Sequence, residues 1–313
     1  MSGNLLLNQL LRPLAQHYAN PQVVEVRMRA PGRIIIERRG ARERLSEVED
    51  AGLTHNKIVQ ICRALANVAG LQFCEDNHPS VSSILPAGHR FECLVGPSVA
   101  TGLSLAVRCK HPHAISLHDM GLDDEHIAYI ERALEQQWNI VISGSTNTGK
   151  TTLLNNLLSF LPDERRVVSA EDTPELSVER FWNGTALIAS RDAAQGAGLR
   201  TWQQLYDHKM RISPDNILFG EISTQNAFAA LNVLNTGARG WMCTVHAESP
   251  QMVPARFQAN IDASGQRLED VASFMGGMVD LVIHIKRDNY GRRGISDMWE
   301  MKHNRYVLKD AFH

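Results

Sequence analysis

Hydrophobic residues recur along the chain either at the spacing of a helix or in the short runs of a strand. The order in which these two patterns follow each other changes near residue 110. Before that point, apolar residues spaced by three or four predict helices over 5–18 and 54–69, while Pro13 is expected to kink or end the first of them. Short β-branched runs bounded by Pro and Gly predict strands at 23–28, 33–38, 81–85, 90–95 and 103–109. The residues expected on the buried helix faces are Leu6, Leu10, Leu11 and Leu14, and then Ile58, Ile61, Leu65 and Val68. Residues 1–112 are therefore predicted to form an α+β domain.

Helices and strands alternate in the remainder of the chain, after a linker that we expect at 113–122. Alternation of this kind predicts an α/β fold, with a mostly parallel sheet covered by helices. The final three strands are expected to be antiparallel. Strands are predicted at 139–143, 166–170, 186–190, 216–220, 241–246, 281–286, 295–301 and 306–311, and helices at 123–136, 151–160, 201–212, 224–235, 251–259 and 268–278.

The stretch 144–151, Gly-Ser-Thr-Asn-Thr-Gly-Lys-Thr, fits the phosphate-loop pattern G-x-x-x-x-G-K-[ST] at every required position. An apolar strand precedes it and an apolar helix follows it, which is the context the pattern requires. Glycines let backbone N–H groups turn towards an anion, and the helix N-terminus adds partial positive charge. We expect Lys150 to reach the outer phosphates and the Thr151 hydroxyl to bind Mg²⁺. The expected nucleotide contacts are Gly144, Ser145, Thr146, Asn147, Thr148, Gly149, Lys150, Thr151 and Thr152.

Three further stretches place polar residues at the ends of predicted sheet strands, where ligands bind in folds of this kind. Glu171 and Asp172 end one strand and suit Mg²⁺ coordination, or else cap the turn that follows. Glu221 ends a second strand, where one carboxylate can orient a water for attack on a terminal phosphate. His246 ends a third strand and can hydrogen-bond that phosphate, although taken alone it would more often be structural.

In this order, the four stretches resemble those of the secretion (traffic) ATPases, most closely the hexameric ATPases of bacterial type IV secretion and conjugation systems. The resemblance extends over residues 72–284. Glu171-Asp-Thr-Pro-Glu-Leu resembles the family's aspartate box, and Glu221 matches its Walker B glutamate. Thr244-Val-His246-Ala and Arg256 resemble its histidine box. The chain lacks both the four-cysteine module of the type II secretion relatives and the motif that pilus-retraction motors carry after Walker B.

The resemblance implies a hexameric ring and a RecA-like P-loop ATPase domain over 123–313, with an N-terminal domain that covers the nucleotide. Arg90 and Arg108 match the arginines that close over the nucleotide in that family; as isolated cations on apolar strands they suit a phosphate clamp, or else are surface residues. Ser213 and Ser223 replace two arginines that the family usually carries. Losing cations near phosphate would slow hydrolysis unless Arg239 compensates.

Composition adds few constraints. The 313 residues are 43% hydrophobic and 21% charged, which is ordinary for a soluble protein, and the length suggests two domains. We find no apolar run long enough to span a bilayer and no signal peptide. Five scattered cysteines without a C-x-x-C pair favour a reducing compartment and argue against a zinc module.

Charge is uneven, because the first 112 residues carry 13 Lys and Arg against 9 Asp and Glu. An arginine-rich stretch within them is either a basic surface for phosphate, an acidic membrane or an acidic partner, or a solvated strand face. Interleaved acidic residues favour the strand face. The arginines are Arg27, Arg29, Arg33, Arg38, Arg39, Arg42 and Arg44.

We therefore expect a cytoplasmic, Mg²⁺-dependent ATPase whose ring powers assembly or substrate transfer in a type IV secretion or conjugation apparatus. Its cofactors would be ATP and Mg²⁺. Its expected partners are five further copies of the chain, other secretion-system ATPases and inner-membrane channel components, with peripheral contact at the cytoplasmic face of the inner membrane. The alternatives are a pilus assembly or retraction motor, a nucleotide-binding assembly switch with little hydrolysis, and a nucleic-acid motor.

Overall fold

The computed structural model describes residues 2–38, 45–110, 115–189, 201–288 and 291–312, whose elements cluster into two compact units before and after residue 113. Some positions used above lie outside the described residues. They are three arginines of the arginine-rich stretch, two residues of the expected linker and the last residue of an expected strand, namely Arg39, Arg42, Arg44, His113, Ala114 and Ser190.

The described residues of the first unit form two helices and a sheet. Its elements are α1 Ser2–Tyr18, β1 Val23–Ala30, β2 Arg33–Arg38, β3 Leu45–Glu49, α2 His55–Ala69, β4 Ser80–Ile84, β5 Arg90–Val95 and β6 Leu103–Arg108.

The sheet of this unit is antiparallel throughout, in the order β3-β2-β1-β6-β5-β4. The α2 helix begins where the side chain of Thr54 accepts a hydrogen bond from the backbone N–H of Lys57, and it ends at Gly70 in a left-handed conformation (φ 67°). The expected α+β architecture is confirmed. The β3 strand was missed by the sequence patterns.

Two expected core positions are wrong. Leu6 is 58% exposed and Val68 is 56% exposed, while Leu7 on α1 and Cys62 on α2 are buried instead. The α1 helix also runs through Pro13 to Tyr18 without ending there. It packs against α2 and β1 through Leu7, Leu11, Leu14 and Tyr18, which belong to the core of this unit.

The described part of the arginine-rich stretch pairs its charges on the sheet itself. Arg27 forms ion pairs with Glu25 and, at 2.5 Å, with Glu37. Arg33 pairs with Glu47 at 2.8 Å. These contacts support the solvated strand face over a basic binding surface.

The second unit contains the remaining helices and strands that the structure describes, together with two short 3-10 helices at Val178–Arg180 and Pro250–Met252. Its helices are α3 Asp124–Glu135, α4 Lys150–Leu158, α5 Trp202–Lys209, α6 Ala227–Leu234, α7 Val253–Ala263 and α8 Val271–Met278. Its strands are β7 Ile140–Gly144, β8 Val167–Glu171, β9 Thr185–Ile188, β10 Asn216–Phe219, β11 Trp241–His246, β12 Leu281–Arg287, β13 Arg293–Glu300 and β14 Arg305–Leu308.

Eight strands form one sheet in the order β14-β13-β12-β7-β11-β10-β8-β9. The six strands from β12 to β9 in this order are parallel to one another. Strand β13 pairs antiparallel with β12, and β14 pairs antiparallel with β13. This confirms the predicted fold class, a mostly parallel sheet with C-terminal antiparallel strands. Since the register aligns Gly144 with His246 and Ala170 with Phe219, four strands end at one edge of the sheet. We call this the carboxyl edge.

Leu7 and Leu6 offer a matched pair for testing the buried face of α1. Leu7 is 1% exposed and Leu6 is 58% exposed. We expect Leu7→Ala to lower the free energy of unfolding by about 2 to 5 kcal/mol because it leaves a cavity. Leu6→Ala is expected to change it by less than about 0.5 kcal/mol. Denaturant unfolding of both variants measures this, and equal losses would contradict the assignment.

Candidate active site

The phosphate-loop stretch folds at the carboxyl edge, between β7 and α4. A Cβ atom at Gly144 would lie 2.4 Å from the carbonyl oxygen of Ile285 and 2.8 Å from Thr148 Oγ1, so only glycine fits there. Gly149 precedes α4 with φ 101°, a conformation that side chains disfavour. The loop thus ends at a helix N-terminus, where the first backbone N–H groups have no acceptor within the helix and suit an anion.

Lys150 is held inside this loop although its side chain carries a charge. The residue is 7% exposed, and its Nζ donates to the carbonyl oxygen of Ser145 at 2.9 Å. The hydroxyl of Thr148 donates to the same carbonyl at 2.9 Å. Lys150 Nζ also lies 3.1 Å from Nδ1 of His246. The sequence-predicted loop and histidine are therefore brought together.

Glu221 joins the same group from β10. Its carboxylate pairs with Nε2 of His246, so the histidine contacts both the lysine and the glutamate. The backbone around Glu221 is fixed by β11, because the Thr244 hydroxyl donates to the carbonyl of Gly220 at 2.5 Å and the N–H of Ile222 donates to the Thr244 carbonyl at 2.8 Å. The Glu221 side chain remains 51% exposed, which leaves it accessible to water.

Glu171 lies at the end of β8 and holds the acidic segment that follows. Its residue is 3% exposed, and Oε1 accepts from the backbone N–H of Glu175 at 2.9 Å and of Leu176 at 3.1 Å. Asn155 of α4 fixes the same segment by donating to the Glu175 carbonyl. Gly220 permits this packing, since a Cβ there would lie 2.7 Å from Glu171 Oε1. The geometry supports the turn-capping alternative for Glu171, and its metal role stays a prediction.

Comparison with known proteins places this arrangement in a family. A family model described as "Type II/IV secretion system protein" matches residues 10–272, which is most of the chain. The chain belongs to that family.

Curated relatives of the family resemble the chain over most of their length. The conjugal transfer protein TrbB of Rhizobium radiobacter is 32% identical, over 87% of this chain and 81% of the relative. The type IV secretion system protein VirB11 of Bartonella henselae is 26% identical, over 88% of both proteins.

Solved structures of secretion ATPases share the fold. The ATPase DotB of Legionella pneumophila has a TM-score of 0.61 at 17% identity, covering 93% of this chain and 80% of that one. The pilus retraction motor PilT with bound ADP has a TM-score of 0.61 at 13% identity, covering 92% and 81%. The VirB11 ATPase of Brucella suis, solved with sulphate, has a TM-score of 0.50 at 22% identity, covering 97% and 96%. At these identities the likeness is one of fold alone.

The serines that replace family arginines lie at opposite edges of the sheet. Ser213 precedes β10 and so lies at the edge away from the loop, while Ser223 follows Glu221 at the carboxyl edge. Arg239 pairs with Asp280 at 3.1 Å, at the beginning of β12. Within this chain, the five residues of β7 at ~3.3 Å per residue separate that edge from the loop, so Arg239 does not lie beside the loop. Compensation by Arg239 stays a prediction. Of the two replacements, only the serine at position 223 removes a cation from the carboxyl edge.

Arg90 and Arg108 face each other within the first unit. They are register partners on β5 and β6, and Arg108 is also the partner of Glu25 on β1. Like charges on directly opposed residues destabilise a sheet. Glu25 places one opposite charge beside Arg108, and an anion bound by both guanidinium groups would reduce the repulsion further, which is consistent with the phosphate clamp predicted from the family. Their approach to the nucleotide stays a prediction.

Strand β12 and the start of β13 support the loop in a way that the sequence patterns missed. Arg293 donates to Oδ1 of Asn147 at 3.1 Å, and Asn147 has a left-handed φ of 60°. Ser143 Oγ lies 2.9 Å from Nδ1 of His284, and burial lowers the pKa of that histidine to about 4. The contact of Arg293 with Asn147 has no signal in the sequence, because a basic residue after a turn is usually exposed to solvent.

Lys209 is a second buried amine near the site, and no sequence pattern indicated it. The residue is fully buried on α5, and its Nζ donates to the Leu218 carbonyl at 3.1 Å and lies 4.0 Å from the centre of the Phe219 ring. Burial lowers the pKa of Lys209 to about 7, while the charge of Glu171 acts in the opposite direction. A titratable amine thus lies close enough to the acidic end of β8 to interact with the charge of Glu171.

Among the residues that the structure describes, no helix combines the length and the apolar character that crossing a membrane requires.

Lys209 predicts a pH-dependent change in stability. Folding lowers the pKa of Lys209 from 10.5 to about 7. Between these two pH values the amine is protonated in the unfolded chain and neutral in the folded one. The contribution of Lys209 to the free energy of unfolding therefore rises with pH in that window. Lys209→Met removes the cost of burying the charge. We expect its stability relative to wild type to be about 2 to 3 kcal/mol more favourable at pH 6 than at pH 9.

Denaturant unfolding at both pH values measures this difference. Lys110→Met at an exposed position is the control and is expected to show no pH-dependent difference from wild type. The same pH response in both variants would contradict the buried charge at Lys209.

Proposed function

We propose that the chain is an ATPase that hydrolyses ATP in a ring and powers assembly or substrate transfer in a type IV secretion or conjugation apparatus. The observation that carries this proposal is the meeting of Lys150, His246 and Glu221 at the carboxyl edge, around a loop built to bind phosphate. The similarity to TrbB and VirB11 supports the choice of apparatus.

The site's donors fit a nucleoside triphosphate. The loop between β7 and α4 presents backbone N–H groups at a helix N-terminus, and Lys150 adds a buried cation. The Thr151 hydroxyl, with phosphate oxygens, would hold Mg²⁺, and the metal would offset charge on the phosphates. Hydroxyl and phosphate oxygens are the ligands that this hard cation prefers, so the residues present fit the group.

The protein's own groups divide the remaining work. Lys150 exchanges its contact with the Ser145 carbonyl for phosphate oxygens, and Glu221 orients the attacking water. His246, 3.1 Å from Lys150, contacts the terminal phosphate and responds to its loss.

Further copies of the chain are proposed to complete the assembly. We propose a hexamer, with bounds of 1–112 for the N-terminal domain, 113–122 for the linker and 123–313 for the ATPase domain. Arg90 and Arg108 of the first domain would close over the nucleotide, which their opposed register supports. Other secretion-system ATPases and channel components are the proposed partners, at the cytoplasmic face of the inner membrane.

A nucleotide-binding assembly switch with little hydrolysis is the second candidate. Ser223 favours it, because it replaces a cation two residues after Glu221 at the edge where phosphate charge would develop. A nucleic-acid motor is less well supported, since the described arginines at positions 27 and 33 pair with neighbouring glutamates.

Phosphate release from ATP and Mg²⁺ by the purified full chain tests the proposal. We expect steady turnover that Lys150→Ala abolishes, because the variant loses the buried cation that binds phosphate. Glu221→Gln is expected to lower kcat by about 100-fold or more with little change in ATP affinity, since it removes the group that orients water. Glu135→Gln on the exposed face of α3 is the matched control.

Turnover that persists in Lys150→Ala would contradict the assignment of the site. Tight ATP binding without turnover in the wild-type chain would favour the assembly switch.

A further inference from the structure

The contacts of His246 fix which of its ring nitrogens carries the proton. An ammonium group can only donate, so Nδ1 of His246 accepts from Lys150 Nζ at 3.1 Å. A carboxylate accepts, so Nε2 carries the hydrogen and donates it to Oε1 of Glu221. Lys150, His246 and Glu221 therefore form one directed chain of hydrogen bonds.

The two hydrogen bonds of His246, one with Lys150 and one with Glu221, reinforce each other. A carboxylate on one ring nitrogen makes the opposite nitrogen a better acceptor, as it does for histidines that bind metals. The Glu221 carboxylate therefore strengthens the hold of His246 on Lys150, and the lysine in turn favours the tautomer that donates to Glu221. Hydrogen bonds in which one partner is charged are the stronger ones.

We propose that His246 is a positioning residue that ties Glu221 to Lys150 while the loop holds no phosphate, and that releases Glu221 once phosphate takes over the lysine. The proposal rests on the proposed function, because it gives that site a regulation. Glu221 is then committed to the histidine until Lys150 has a phosphate ligand, so a water would not be activated in a site without nucleotide.

The backbone at the ends of β10 and β11 is fixed, so only the side chains of His246 and Glu221 need to move. Thr244 binds the Gly220 carbonyl at 2.5 Å, and Ile222 binds the Thr244 carbonyl at 2.8 Å, so the ends of β10 and β11 are fixed to each other. His246 and Glu221 have side-chain exposures of 33% and 51%, which leaves room for rotation. Release of Lys150 would thus be transmitted through the imidazole ring.

ADP affinity tests the link without involving the terminal phosphate. We would titrate ADP with MgCl₂ into the full-length wild-type chain, Glu221→Ala, His246→Ala and the double variant by calorimetry. Removing the Glu221 charge strengthens ADP binding directly in either background. In the presence of His246 it also weakens the hold of the imidazole on Lys150, so the gain in affinity is expected to be about threefold to tenfold larger than in His246→Ala.

Two conservative variants distinguish the hydrogen bond of His246 with Lys150 from its hydrogen bond with Glu221. His246→Asn keeps an acceptor near the Nδ1 position but does not reach Glu221, and His246→Gln keeps a donor near the Nε2 position but loses the acceptor for Lys150. Because both ends are needed, each variant is expected to lose the coupling. A role for His246 in packing alone predicts that His246→Gln retains the wild-type response to Glu221→Ala. Circular dichroism of each variant controls for folding.

The outcomes distinguish this inference from the function on which it rests. If ADP binds and Lys150→Ala weakens that binding, but Glu221→Ala changes affinity by the same factor in every background, the link through His246 is wrong and the phosphate site remains. If ADP does not bind, or binds independently of Lys150, both proposals are overturned.

Discussion

The close approach of Ile285 to Gly144 is the constraint on which the rest of the site depends. The carbonyl oxygen of Ile285 would lie 2.4 Å from any Cβ at position 144, so the loop can turn over the end of β7 only because that residue has no side chain. This turn places Lys150 at the beginning of α4, where its Nζ lies 3.1 Å from Nδ1 of His246 at the end of β11. Without it, the lysine would not reach His246.

Parallel strands bring the remaining groups to the same edge. Four consecutive strands of one sheet, in the order β7-β11-β10-β8, all end at the edge where the loop begins. The carboxyl edge brings together Lys150, Glu221 and His246, while the opposite edge holds the ion pair of Arg239 with Asp280. The end of the strand at which a charged residue lies therefore decides whether it is near the loop, and Arg239 lies at the end away from it.

Much of this arrangement follows from local sequence. The spacing of hydrophobic residues, together with Gly and Pro, predicted most helices and strands. The phosphate-loop motif, with the strand before it and the helix after it, predicted the loop. Both kinds of feature depend on neighbours within a few residues. Properties set by distant residues were not predictable. Leu6 and Leu7 are adjacent and equally apolar, so the pattern alone did not show which one faces the core. The burial of Lys209 is set by its contacts with Leu218 and Phe219 of β10, which no pattern within α5 shows. The capping role of Glu171 was one of two alternatives that the sequence left open, and its hydrogen bonds with the backbone of Glu175 and Leu176 support it.

The structure of the full chain with a bound, non-hydrolysable ATP analogue and Mg²⁺ tests the central claim most directly. The account predicts that the phosphates lie on the loop between β7 and α4, with Lys150 Nζ on phosphate oxygen and no longer on the Ser145 carbonyl, which it now contacts at 2.9 Å. A nucleotide bound elsewhere, or bound while Lys150 keeps its contacts with Ser145 and His246, would contradict the account.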